Sequence, residues 1–129
     1  MHEWLEHTSE LELLVRADSA EGVVADATAA LAEVLGEPEG PPVAQRLAVV
    51  AGDPAGLLAA WLEEVVFLAE HEGLVPERAQ GLELAADELH GEVVARPGRP
   101  AHLVKAVTYH RLALEQDKRG WWGRVVLDV

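Results

Sequence analysis

Between Asp53 and Gly73 the chain carries a pattern that only a helix satisfies. Leu57, Leu58, Trp61, Leu62, Val65 and Leu68 recur at helical spacing, while Glu63, Glu64 and Glu70 are offset toward solvent. Asp53 stands at the N-cap and Pro54 at the first helical position, where its missing N–H removes a donor that has no intrahelical partner anyway. A helix with one apolar stripe must bury it against another layer, so the remaining sequence is read for what that layer is.

Upstream, 11–17 alternates with period two. Leu11, Leu13, Val15 and Ala17 share one face and Glu10, Glu12 and Arg16 the other, which predicts a half-buried strand. Ser19 then occupies an N-cap position, Glu21 the first turn, and Val24, Ala27, Leu31, Val34 and Leu35 define a second amphipathic helix over 21–35, ended by Gly36. The Gly- and Pro-rich stretch 36–42 reads as a loop. Val43, Leu47, Val49 and Ala51 form the inward face of another strand, interrupted by Gln45. After Gly73 come short alternating runs near 74–78, 82–95, 102–115 and 121–128, separated by 96–100 and 116–120, as in an antiparallel meander. The order implies a single α+β domain over 1–129: two layers, with two amphipathic helices packed on one face of a mixed, mostly antiparallel β-sheet.

Composition removes several functions. Lys plus Arg number 10 against 23 Asp plus Glu, a net charge of −13, which argues against a surface that grips nucleic-acid phosphates. There is no Cys, so disulfides, thiolate metal sites and thiol nucleophiles are excluded. No phosphate-binding glycine loop and no Gly-x-Ser-x-Gly elbow occurs. The start lacks the basic and apolar regions of a signal peptide, and no apolar run is long enough to span a bilayer, so a cytoplasmic location is expected, with no membrane partner.

His2 and His7 are five apart and cannot share a helical face as a zinc-protease motif requires, and His71 sits where a histidine meets a helix C-terminal dipole. Two constellations remain. Glu10 at the head of one apolar strand, and Asp128 beside the terminal carboxylate of Val129 at the end of another, offer oxygen ligands to a hard divalent cation if the strands are neighbours; otherwise they are solvated strand ends. Lys105, Val107 and Tyr109 share one face of a strand. They either form a site for an anion or a partner's carboxylate, or are a packed tyrosine and a solvated lysine, the plainer expectation. In Trp121-Trp122 one indole should point inward and one outward.

Taken in order, His7-Thr8-Ser9-Glu10-Leu11, the helix Leu57-Leu58-Ala59-Ala60-Trp61-Leu62-Glu63-Glu64, Glu72-Gly73-Leu74-Val75, the strand Lys105-Ala106-Val107-Thr108-Tyr109-His110 and the ending Val126-Leu127-Asp128-Val129 resemble the archease family over essentially the whole chain. The resemblance implies a small α+β protein that is not itself an enzyme. It implies an accessory activator of the GTP-dependent RNA-splicing ligase that promotes guanylylation of the ligase histidine and multiple turnover. The ligase is then the partner, with no direct nucleic-acid binding. Carried onto this sequence, the family's metal-binding acid falls on Glu10, its C-terminal metal site on Asp128 and Val129, and its activating lysine on Lys105. The implied cofactor is a divalent ion: calcium, magnesium or manganese. Glu10 replaces the usual Asp, Ser9 the usual Ala, and Leu11-Glu12 the usual Ile-Gly, which leaves Glu12 either to supplement the site or to face water. The competing expectations are a metal-dependent hydrolase and a chaperone-like interaction module with a structural metal site.

Overall fold

A computed structural model describes residues 1–100 and 104–129. The elements are β1 (His2–His7), β2 (Glu10–Ala17), α1 (Ala20–Leu35), β3 (Gly36–Pro38), β4 (Val43–Val50), α2 (Pro54–Glu72), β5 (Leu74–Leu84), β6 (Glu88–Pro100), β7 (Ala106–Asp117) and β8 (Gly120–Asp128).

The helix ends are set by local chemistry. Ser19 Oγ accepts from the Gly22 N–H at 2.9 Å, and Asp53 Oδ1 accepts from the Gly56 N–H at 2.7 Å, each satisfying a donor that has no partner within the helix. Gly73 closes α2 in the left-handed region at φ 66°, its N–H returning to the Leu68 carbonyl. The apolar stripe read from α2 is buried throughout: Leu57, Leu58, Trp61, Leu62, Val65 and Leu68. Within this core Trp61 Nε1 donates to Thr28 Oγ1 at 3.0 Å, and the Thr28 hydroxyl donates to the Val24 carbonyl at 2.8 Å, so the indole loses no hydrogen bond on burial.

The α+β class, the two helices and the antiparallel character agree with the sequence reading. The arrangement of strands does not. There are two sheets: one of four strands in the order β1-β2-β8-β7, the other built around β6, which pairs with β3, β4 and β5. Every pairing among the described residues is antiparallel. The helices pack on each other and touch strands of both sheets. Periodicity reports which face of a strand is buried but not which strand lies beside it, so the insertion of β8 between β2 and β7 leaves no mark in the sequence. The close approach it requires is visible at Gly123, where a Cβ would lie 2.7 Å from Val23 Cγ1 and 3.3 Å from Leu58 Cδ2.

Four boundaries also differ. Residues 2–7 form an edge strand, and part of the expected loop 36–42 forms β3. The expected separator 96–100 continues β6, where Pro97 donates nothing but its carbonyl accepts from the N–H groups of Glu39 (2.8 Å) and Gly40 (3.0 Å). The run expected from 102 starts in the structure with β7 at Ala106; its residues 102 and 103 lie outside the described residues. Among the described residues no helix is long and apolar enough to cross a membrane.

Candidate functional site

The β2–β8 register places Glu10 opposite Asp128, Leu11 opposite Leu127, Glu12 opposite Val126 and Leu13 opposite Val125. Because side chains alternate, the burial of Leu13, Val125 and Leu127 in the core turns Glu10 and Asp128 to the other face of the sheet, side by side at its end. Directly opposed residues hold their Cβ atoms roughly 5 Å apart. The main chain draws the other two expected positions to the same end: the Val129 N–H donates to the Ser9 carbonyl at 3.1 Å and the Lys105 N–H to the Asp128 carbonyl at 2.8 Å. Four residues spread from 10 to 129 in the sequence thus converge on one sheet edge.

Arg111 and His7 serve a different carboxylate. Arg111 Nη1 donates to Glu12 Oε1 at 2.9 Å and His7 Nε2 lies 3.4 Å from the same oxygen, which leaves Glu10 and Asp128 without an ion pair among the described residues. Glu12 is only 3% exposed, so it neither joins an open acidic site nor faces water. It is a buried anion answered by Arg111. That contact depends on an irregularity in β7 between Thr108 and Ala113, where Arg111 adopts φ 59° and Arg124 Nε pins its carbonyl at 2.8 Å. The Glu12–Arg111 pair was not foreseen, because no local pattern signals a partner 99 residues away. Among the described residues no group of three or more His, Asp or Glu side chains is gathered to hold a metal ion.

Lys105 immediately precedes β7, and its side chain turns from the acidic edge into a groove of about 500 Å³ between α2 and β7, shared with Glu63, Phe67, Glu70 and His71. Val107 lines the same groove and the Tyr109 hydroxyl donates to Glu63 Oε1 at 3.3 Å, so Lys105, Val107 and Tyr109 share one side, as alternation predicts. Tyr109 does not pack as expected; it is 65% exposed. The charge of Glu63, then desolvation and the hydrogen bond itself, hold its hydroxyl above the ordinary tyrosine value. Glu70 Oε1 accepts from the Val104 N–H at 3.3 Å, and His71, in the last turn of α2, stacks on Phe67 with ring centroids 4.6 Å apart. In the tryptophan pair, Trp121 packs on the core while the Trp122 ring lies 5.3 Å from the Arg124 guanidinium, so one faces each way as expected.

The Archease protein family matches residues 2–129. The chain is 29% identical to the protein archease of Methanosarcina mazei, an alignment that covers 99% of this chain and 95% of the relative. It is 30% identical to the protein archease of Methanopyrus kandleri, covering 98% of each. The solution structure of Methanobacterium thermoautotrophicum protein 1598 superposes with a TM-score of 0.73 at 23% identity, over 99% of this chain and 98% of that one. A Thermotoga maritima crystal structure, described as an archease and possible chaperone, gives 0.68 at 19% identity, over 100% and 98%. At these identities the two structures speak for the shared fold.

Proposed function

Because this chain belongs to the Archease protein family, we propose that it acts as an accessory activator of the GTP-dependent RNA-splicing ligase, promoting guanylylation and repeated turnover through the acidic edge formed by Glu10 and Asp128. One observation carries this reading: two acidic residues oppose each other on adjacent strands with no ion pair among the described residues, while Arg111 engages Glu12. Like charges directly opposed across a pairing are unfavourable, and a cation brought from outside relieves them.

The donor set fits a hard divalent ion in kind, since carboxylate and main-chain oxygens are what calcium, magnesium and manganese take, but two side chains fall short of the six or more ligands such an ion requires. Glu10 and Asp128, with a main-chain oxygen of Val129, would supply part of a shell completed by water or by the partner. An ion held there contributes positive charge beside phosphate groups, the kind of positioning and neutralisation that phosphoryl-type transfer chiefly needs. The chain's own part is to orient the two carboxylates by strand register. Lys105 is tied to this edge through its main-chain N–H on the Asp128 carbonyl, while its side chain serves the neighbouring groove.

A net charge of −13 suits docking near the basic RNA-binding surface expected of a ligase better than it suits contact with RNA itself. The test is ligase guanylylation with GTP and a divalent metal, with and without this chain. Acceleration together with a rise in turnovers per ligase supports the proposal, and no effect on a competent ligase refutes it. Hydrolysis of a small substrate by the isolated chain would instead favour the hydrolase alternative, and protection of unrelated clients from aggregation the chaperone alternative.

A further inference from the structure

The sequence has one phenylalanine and one tyrosine, and the fold exposes both: Phe67 by 48% and Tyr109 by 65%. A single exposed apolar side chain needs no explanation, but Phe67 lines a concavity and Tyr109 is bonded to Glu63, which lines the same one. Glu63, Phe67, Glu70 and His71 recur along α2 at spacings of four, three and one, a stripe on one side of the helix, and Lys105 with the start of β7 lines the opposite wall, Tyr109 reaching Glu63 from further along the strand. Between them the floor is apolar, formed by Val66, Val104 and Val107, each less than a tenth exposed.

Resting on the reading above that the partner is the RNA-splicing ligase, we infer that the groove between α2 and β7 is the docking site for a segment of that ligase presenting an arginine beside an apolar side chain. The rim supplies what a guanidinium recognises. Tyr109 and the side of Phe67 not stacked on His71 offer exposed aromatic surface, and Glu63 and Glu70 offer carboxylates that each make one contact among the described residues and keep acceptor capacity to spare. Lys105 balances one of those two charges, so the groove keeps the sign of the whole chain and complements a basic segment. The apolar floor takes the neighbouring side chain. Desolvated aromatic and arginine anchors of this kind usually carry most of an interface's affinity. The position matters as well: a segment seated here lies against Lys105, whose N–H is bonded to Asp128, so docking brings the ligase to the acidic edge.

The test is the dissociation constant of the full chain for the ligase from the same source, measured for the wild type, Phe67→Ala, Tyr109→Ala, Glu63→Gln and, as a remote control, Val50→Ala, which alters another exposed apolar residue, with folding of each checked by circular dichroism. Phe67→Ala and Tyr109→Ala are each expected to weaken binding about tenfold, the effect of losing one anchor, while reaching wild-type stimulation of guanylylation at saturation. Glu63→Gln should weaken binding and flatten its salt dependence. Val50→Ala should match the wild type. If the wild type binds and stimulates while the two aromatic variants bind within twofold of it, the groove assignment is wrong and the activator reading survives. If the wild type neither binds nor stimulates, both are wrong.

Discussion

Glu10 and Asp128 stand opposite each other across the β2–β8 pairing, on the face of the sheet turned away from the core, while the Arg111 guanidinium and the His7 ring engage Glu12 instead. Like charges directly opposed across a strand pairing are unfavourable unless a cation joins them. Asp128→Asn is therefore expected to stabilise the metal-free protein at neutral pH by about 0.2–1 kcal/mol in urea unfolding, and salt should shrink the gain. Millimolar calcium should raise the melting temperature of the wild type more than that of Asp128→Asn, since binding only to the folded state shifts unfolding by mass action. Equal calcium shifts in the two proteins would remove the cation from the account.

The Glu12–Arg111 pair predicts an asymmetry between two substitutions at one position. Arg111 is half exposed, so Arg111→Ala, which leaves the buried Glu12 carboxylate with only His7 beside it, should cost about 1–3 kcal/mol, the penalty of a buried acceptor losing its partner. Arg111→Gly loses the same charge but relieves a left-handed backbone, so it should be less destabilising by about 1 kcal/mol. Thermal unfolding of both variants checks this, and the reverse order would mean that the φ of Arg111 is not strained.

Thr28 holds the indole of Trp61 in the core between the helices. Thr28→Val keeps the volume and removes the acceptor, leaving a buried N–H without a partner, so a loss of about 1–3 kcal/mol is expected in chemical denaturation. A neutral result would show that the Thr28–Trp61 bond adds nothing beyond packing.

Tyr109 can be followed alone because the chain has no other tyrosine. Its hydroxyl is held above the ordinary value, near 10, chiefly by the charge of Glu63, so ultraviolet titration should place its midpoint above that value and Glu63→Gln should bring it down. Since the folded form holds the proton more tightly, the contribution to stability is complete below the unfolded tyrosine's midpoint and is lost as pH rises through the folded one. An identical midpoint in Glu63→Gln would detach Tyr109 from the groove.

Elements defined by local pattern were legible in the sequence. Asp53, Pro54 and the stripe from Leu57 to Leu68 marked α2 because caps and periodicity act within a few residues, and the alternation from Leu11 to Ala17 marked β2 for the same reason. Glu10 and Asp128 could be identified as acids at strand ends, and by family resemblance as a pair, but their adjacency depends on β8 entering between β2 and β7. For Glu12 the sequence left two alternatives, supplementing the acidic site or facing water, and the bond to Arg111 at the irregularity in β7 replaces both. Alternation put Tyr109 on the correct side of its strand, yet its exposure follows from which stripe of α2 lies opposite, a relation between segments more than forty residues apart.

The central claim is that the Glu10–Asp128 edge makes this chain an activator of the RNA-splicing ligase, and the most direct measurement is the rate at which GMP becomes attached to the ligase, with wild type and Asp128→Asn compared at saturating concentration. The account predicts clear acceleration by the wild type and little or none by a folded, ligase-binding Asp128→Asn. Equal acceleration by both proteins, or none by the wild type, would contradict it.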